Sequence, residues 1–279
     1  MISFFGILRH SWKDLINSRP FSLYRFTEYL IEMALLRREG YRRILEVGPG
    51  SDPFVAQIPQ DLEVDRVLAI DYCHDIIEQN KETFEDDRIE FRAVNLTDPV
   101  EAETIEGDFD YAVCNATVEH VPDDQALVDR IYERLRPGGA FVFSTVMHQW
   151  MYNDWDYAMG HYKRYSRQDL KDLCHQFEEV QIIETSLIQE IVRPLFFNRI
   201  NHLLDSTLEE NNLKVGFLEH AEPPYASIYG VVKYLMPLYF AFDWFFSKII
   251  GGIVIVVARK SNTPELKTVR PVGQLAEAV

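Results

Sequence analysis

The chain has 279 residues, of which 47% are hydrophobic and 26% charged, enough for one large core or one core with an insertion. Its formal net charge is −16, and no Lys/Arg block is long enough to reverse that locally, so a nucleic-acid partner is disfavoured. Cys73, Cys114 and Cys174 are widely spaced, form no CxxC pair and sit near no histidine at ligand spacing. They read as small buried side chains in a reducing, cytoplasmic protein, and no metal site is expected.

The opening "MISFFGILRHSWKD" has no charged leader before its apolar run and no small-residue cleavage site, so it does not read as a signal peptide. Residues 21–39 predict an amphipathic helix, with Leu23, Phe26, Leu30, Met33 and Ala34 at helical spacing and Gly40 as its stop. Residues 1–40 therefore form an N-terminal helical segment. Strands and helices then alternate. "RILEV" is a short buried strand, and "DPFVAQI" predicts a helix with Asp52 as cap and Pro53 at the first helical position. "RVLAID", "RIEFRAV", "FDYAVCN" and "AFVFSTV" are four more strands. Between them fall helices over 73–84 and "DDQALVDRIYERL", the latter stopped by "RPGG". "SRQDLKDLCHQF" is a helix with Ser166 as cap and Asp169 as its capping-box partner. "EVQIIETS" and "GGIVIVVARK" close the set of strands.

Near-continuous apolar strands separated by helices predict an α/β fold with a parallel sheet covered on both faces. Residues 187–250 lie between the last two strands and are too long for a simple connection. Rich in Phe, Tyr and Leu, they read as a helical insertion or lid. Residues 231–257 are very apolar, but Lys233, Asp243 and Lys248 interrupt the run and Pro237 and Gly251-Gly252 punctuate it. They read as a buried helix, a break and a strand rather than a membrane span. Residues 261–279 read as a polar, flexible tail.

The chemistry gathers at strand ends, where open α/β sheets bind ligands. Gly48 and Gly50 follow the first strand and allow close backbone approach. Asp71 closes the second strand, placed to accept hydrogen bonds from a ribose or to cap the next helix. Asn95 follows the third strand as an adenine contact or a turn residue, and "CNATVEHVPD" brings Asn115, Glu119 and His120 to the end of the fourth. A nicotinamide dinucleotide needs GxGxxG, but the third position here is Pro53. Glu46 and Asp52 would also crowd a diphosphate. A phosphate-free amino-acid nucleoside avoids that repulsion.

"ILEVGPGSD", "VLAIDYC", "FDYAVCNATVEHVPD" and "LRPGGAFVFSTV" resemble, in order and spacing, the successive motifs of the class I S-adenosylmethionine-dependent methyltransferases. The resemblance covers roughly residues 40–186, and "GGIVIVVARK" is similar to the family's last strand. It implies a Rossmann-like seven-stranded, mostly parallel sheet with the last strand antiparallel. The core would be residues 41–186 and 251–260. It implies S-adenosylmethionine as cofactor, with Glu46, Gly48 and Gly50 near the methionine part and Asp71 on the ribose, Tyr72 beside it. Asn95 and Leu96 would lie near the adenine and Asn115 near the sulfonium. Pro49 and Asn95 depart from the family's commoner residues.

Methyl transfer from a sulfonium is a direct displacement, so the protein mainly aligns the acceptor and excludes water. A hydroxyl acceptor also needs a base. His120, His148 and His161 are candidates, each equally readable as a loop or packing residue. "GHYKRYS" resembles a "GHxRRYS" loop found in a subset of these enzymes. Trp150, Trp155, Tyr162, Arg164 and Tyr165 read as a substrate wall, with Arg164 free to meet a substrate anion or an internal acid such as Glu119. The expected activity is methyl transfer to a small-molecule acceptor, bulky or apolar, with oxygen favoured over nitrogen and carbon. "NATVEH" in place of an NPPY-like motif disfavours planar base amines. The rivals are a non-catalytic scaffold of the same fold and a nicotinamide-dependent reductase. The late aromatic residues fit a homodimer interface as well as an acceptor roof, and contact with a membrane surface stays open.

Overall fold

Apolar strand runs assemble into one seven-stranded sheet of order β3-β2-β1-β4-β5-β7-β6. The structure is a computed structural model, and it describes residues 3–17, 25–185, 234–247 and 251–263. The strands are β1 (Arg43–Val47), β2 (Arg66–Asp71), β3 (Ile89–Ala93), β4 (Phe109–Asn115), β5 (Leu135–Val146), β6 (Glu179–Thr185) and β7 (Ile253–Arg259). β1 to β5 run parallel, whereas β7 enters between β5 and β6 and pairs antiparallel with both. The fold is thus Rossmann-like. The strand order reverses between β1 and β4, and the crevice at their carboxyl ends is where such sheets bind ligands.

Strand alternation divides the core into two layers. Ile44, Tyr111 and Val113 join α1 (Phe4–Asn17) and α2 (Phe26–Glu39) on one face. Leu45, Ala112 and Cys114 join α5 (Asp124–Arg134) and α7 (Arg167–Leu173) on the other. Smaller pieces complete the chain: α3 (His74–Thr83), α4 (Pro99–Ala102), α6 (Asp154–Met159) and α8 (Met236–Phe246). Ser166 caps α7, and the predicted capping box with Asp169 is present.

Four local expectations are corrected. "DPFVAQI" forms only a 3-10 turn over Phe54–Gln57, preceded by an extended Pro53. β5 opens at Leu135 rather than at Ala140, because "RPGG" carries a register shift against β4 instead of acting only as a stop. α2 is not amphipathic: Thr27, Glu28 and Glu32 are buried along with Leu30, Met33 and Ala34. α1 covers its outer side, where Arg37 makes a two-pronged ion pair with Asp14 at 2.5 and 2.6 Å. α8 is buried along one face only, where Phe240 joins the core. Leu238, Phe242, Phe245 and Phe246 are exposed, while Asp243 is buried, accepting from Ser247 at 2.7 Å and from Thr27 at 3.4 Å. No helix among the described residues is long and apolar enough to cross a membrane. Leu23, residue 186, most of the predicted insertion (187–233 and 248–250) and the tail from residue 264 lie outside the described residues.

Candidate active site

Glu46 sits one residue before the end of β1 and is 1% exposed. Its carboxylate accepts the Phe54 N–H at 2.8 Å and the Val55 N–H at 2.9 Å. It therefore closes the glycine turn from inside the sheet and takes the role expected of Asp52. Burial, against the pull of Arg25 and these two N–H groups, pushes its pKa up to about 7. A pyrophosphate would need free N–H groups at a helix start. Here those groups are already taken by a carboxylate, which sharpens the case against a dinucleotide.

Gly48 (φ 68°) and Gly50 (φ 55°) both adopt left-handed backbone. At Gly48 the close approach is made by the protein itself, since an added Cβ would lie 2.4 Å from Thr117 Oγ1. Thr117, just past β4, thereby locks the β1 turn to the β4 turn. The Gly50 carbonyl is held by the buried Asn80 of α3 at 2.8 Å.

Asp71 ends β2 with its carboxylate accepting the Cys73 N–H at 2.9 Å; burial raises its pKa against backbone hydrogen bonds from Cys73, Gly50 and Tyr72. Tyr72 is exposed. Asn95 behaves as a turn residue, its Oδ1 accepting from Thr97 N–H at 3.1 Å and Thr97 Oγ1 at 2.7 Å. Leu96 is buried behind it. Asn115, buried at the end of β4, donates to Glu32 Oε1 at 2.6 Å, while its own Oδ1 is buried without a hydrogen-bond partner. Glu28, one turn earlier on α2, hydrogen-bonds Ser144 of β5 and Arg25. Burial, then the Glu28 charge, pushes Glu32 up to about 8.

The second half of the rim is a side-chain network. The "GHYKRYS" segment runs back along the end of β5 through a parallel bridge between Met147 and Tyr165. Its middle residues are exposed or half-buried and its last two before Ser166 are buried. Tyr162 is exposed, while its N–H donates to the Glu119 carbonyl at 2.8 Å. Lys163 pairs with Asp124 at 2.6 Å. Arg164 and Tyr165 turn inward, which corrects their assignment to a substrate wall. Arg164 is fully buried and donates to Asp156 at 2.9 Å and to the Met147 carbonyl at 3.2 Å. It pairs with an internal acid, and that acid is Asp156 rather than Glu119. Tyr165 belongs to the core, its hydroxyl donating to Asp124 at 2.7 Å.

His161 is held by the same aspartate, Nδ1 to Asp156 Oδ1 at 2.8 Å. Burial raises the Asp156 pKa, but His161 and Arg164 outweigh it and the net shift is downward. The carboxylate can then only accept, so Nδ1 carries the hydrogen and Nε2 is the nitrogen left for another partner. The His120 and His161 rings meet edge to face with centroids 4.7 Å apart. His120 hydrogen-bonds the Gly160 backbone, and burial together with the neighbouring His161 lowers its pKa to about 4. Glu119, buried, accepts from Thr145 Oγ1 at 2.9 Å, and burial raises its pKa. A ligand atom from each of Glu119, His120 and His161 lies within 4.8 Å of the other two.

His148 is not part of this group. It follows β5 with a left-handed φ of 66°, its ring beside Trp150 and its Nε2 buried without a partner. Trp150 is exposed, and Trp155 lies in α6. Sequence reasoning missed Glu28, Glu32, Asn80, Thr117, Thr145 and Asp156. The Glu119-His120 dipeptide at a strand end and the later "GHYKRYS" motif were the available hints.

A seven-stranded sheet of order β3-β2-β1-β4-β5-β7-β6, with a glycine turn after β1 and an acid at the end of β2, is the arrangement of the class I S-adenosylmethionine-dependent methyltransferases. Residues 21–178 match the profile of the methyltransferase domain family, and the chain belongs to it. A ubiquinone biosynthesis O-methyltransferase of Psychrobacter cryohalolentis is 48% identical over 50 residues, 17% of this chain and 20% of that one. A malonyl-[acyl-carrier protein] O-methyltransferase of Prosthecochloris aestuarii is 30% identical over 138 residues, 47% of this chain and 50% of that one. The matched region thus spans between a fifth and a half of these two relatives. The phosphoethanolamine N-methyltransferase 2 of Haemonchus contortus, solved with S-adenosyl-L-methionine, shares the fold at a TM-score of 0.52 and 17% identity, over 93% of this chain and 57% of that one.

Proposed function

We propose that the protein transfers the methyl group of S-adenosylmethionine to an oxygen of a small-molecule acceptor, and that the acceptor's proton leaves at the Glu119–His120–His161 cluster. The observation that carries this reading is His161, held by Asp156 through Nδ1, with a ring nitrogen within 4.8 Å of a donor atom of Glu119 and of His120. Two relatives named as O-methyltransferases support the oxygen assignment.

The residues at the β1–β4 crevice suit this cofactor. The buried Asn115 Oδ1 has no hydrogen-bond partner, and burial raises the pKa of Glu28, Glu32 and Glu46, a cost of ionisation that a cationic ligand would offset. Asp71 would hold the ribose hydroxyls and Leu96 would pack against the adenine. The bound cofactor would supply an electrophilic methyl on a sulfonium, open to direct displacement by an acceptor oxygen, with the thioether as leaving group. This chain's part is to place the oxygen, exclude water and receive its proton at His161 Nε2. Exposed Trp150 and Tyr162 flank the rim and suit an acceptor with an apolar body. The free thiols Cys73, Cys114 and Cys174 support a cytoplasmic location.

The test is turnover with labelled S-adenosylmethionine against phenols, carboxylic acids, amines and activated carbons. Methylated oxygen products, lost in His161→Ala, are expected. Methylation of amines or carbons alone would overturn the oxygen assignment.

A further inference from the structure

We propose that Glu119, His120 and His161 bind a single divalent transition-metal cation at the carboxyl end of β4. One donor atom from each residue lies within 4.8 Å of the others. Two ligands held about 2.1 Å from one ion are about 3.4 Å apart in a tetrahedral site, so small ring rotations close the set.

Each donor is already oriented from behind. Asp156 accepts from His161 Nδ1 at 2.8 Å, and is itself held by Arg164 and by the Asn153 N–H at 3.0 Å. The Gly160 backbone holds His120, and Thr145 Oγ1 donates to Glu119 at 2.9 Å. Carboxylates or carbonyls behind ligating histidines fix the tautomer and aim the free nitrogen at a metal.

Charge gives an independent argument. Glu119 is 2% exposed, and among the described residues it forms no ion pair with Lys or Arg. Arg164, a buried cation of this network, pairs with Asp156. A buried carboxylate whose one cationic candidate is the His161 imidazole is costly to keep charged, and a bound cation offsets that cost.

Two imidazole nitrogens and one carboxylate oxygen suit Zn²⁺, Mn²⁺ or Fe²⁺ rather than Mg²⁺ or Ca²⁺, which take oxygen ligands. Three protein ligands leave a position open. An acceptor hydroxyl bound there would lose its proton more readily, to solvent, with His161 as ligand rather than base. That last step rests on the oxygen-acceptor reading; ion binding does not.

The experiment uses the full, tag-free chain stripped by a chelator. Co²⁺ is titrated and followed by its visible absorption, and Zn²⁺ by calorimetry. The expected result is one equivalent bound, with the absorption of a nitrogen-ligated site that Zn²⁺ displaces. His161→Ala and Glu119→Gln should each weaken binding at least about tenfold, and Asp156→Asn by about 10–100-fold. His175→Ala, at an exposed histidine outside the cluster, should leave binding unchanged. A cobalt spectrum of the hydrated ion, no saturable uptake, or wild-type affinity in His161→Ala would overturn the site. The spectrum of the unaltered chain decides the matter even where a variant fails to fold. Methylation of an oxygen acceptor at full rate by the stripped protein, with no cobalt uptake, would remove the metal and leave the proposed function. Metal binding without any oxygen methylation would do the reverse.

Discussion

The β1–β2 half of the crevice and the β4–β5 half are built by different means. The first is held by backbone: left-handed glycines, a carboxylate on two N–H groups, and an aspartate at a strand end. The second is held by side chains reaching across sequence, with Asp156 gripping both Arg164 and His161. A site that must hold one invariant ligand can be made of chain geometry. A site that must fit a particular acceptor and move its proton needs groups whose identity can be varied one at a time.

The sharpest way to break this contrast is Asp156→Ala. It strands the buried Arg164 charge and should cost about 3–5 kcal/mol of stability in urea unfolding. A loss below about 1 kcal/mol would mean that the network is not what holds the second half. In the first half, Gly48→Ala forces a left-handed φ on alanine and drives Cβ against Thr117. About 1–3 kcal/mol should be lost from the backbone strain. Full stability and unchanged cofactor binding would show that chain geometry does not define that half.

These two sites also differ in how well the sequence revealed them. The strands were legible because each is a short apolar run, and the glycine turn because "VGPG" is contiguous. The capping box at Ser166 and Asp169 was legible for the same reason: both partners lie within one turn. The burial of Glu28 and Glu32 was hidden, because a helical wheel assigns glutamate to solvent unless a covering helix is known. Asn115 and Glu32 are 83 residues apart. Arg164 and Tyr165 looked like a binding motif, yet their partners are Asp156 and Asp124, and only the bridge to β5 turns them inward. Why "DPFVAQI" stops short of an α-helix was equally out of reach, since the group that satisfies its N–H atoms sits in β1.

Smaller effects refine the contrast. Tyr165→Phe removes the hydroxyl that donates to Asp124 and should cost about 1 kcal/mol by thermal unfolding, with turnover retained. A collapse of turnover would restore Tyr165 as a substrate contact. Glu32, raised to about 8, binds its proton more tightly folded than unfolded. Its contribution is therefore complete below the model-peptide value of about 4.3 and is lost as pH rises through about 8. Glu32→Gln should match the wild type near pH 4 and below, and melt at a higher temperature above pH 8. An equal or lower melting temperature there would contradict the burial argument.

The division of labour between the two halves is tested most directly by calorimetry of S-adenosylhomocysteine on Asp71→Ala and His161→Ala. The account predicts a loss of about 1–3 kcal/mol in Asp71→Ala, since a charged hydrogen-bond partner is removed. It predicts wild-type affinity in His161→Ala, with turnover falling about 10²–10⁴-fold. Unchanged binding in Asp71→Ala, or lost binding in His161→Ala, would contradict it.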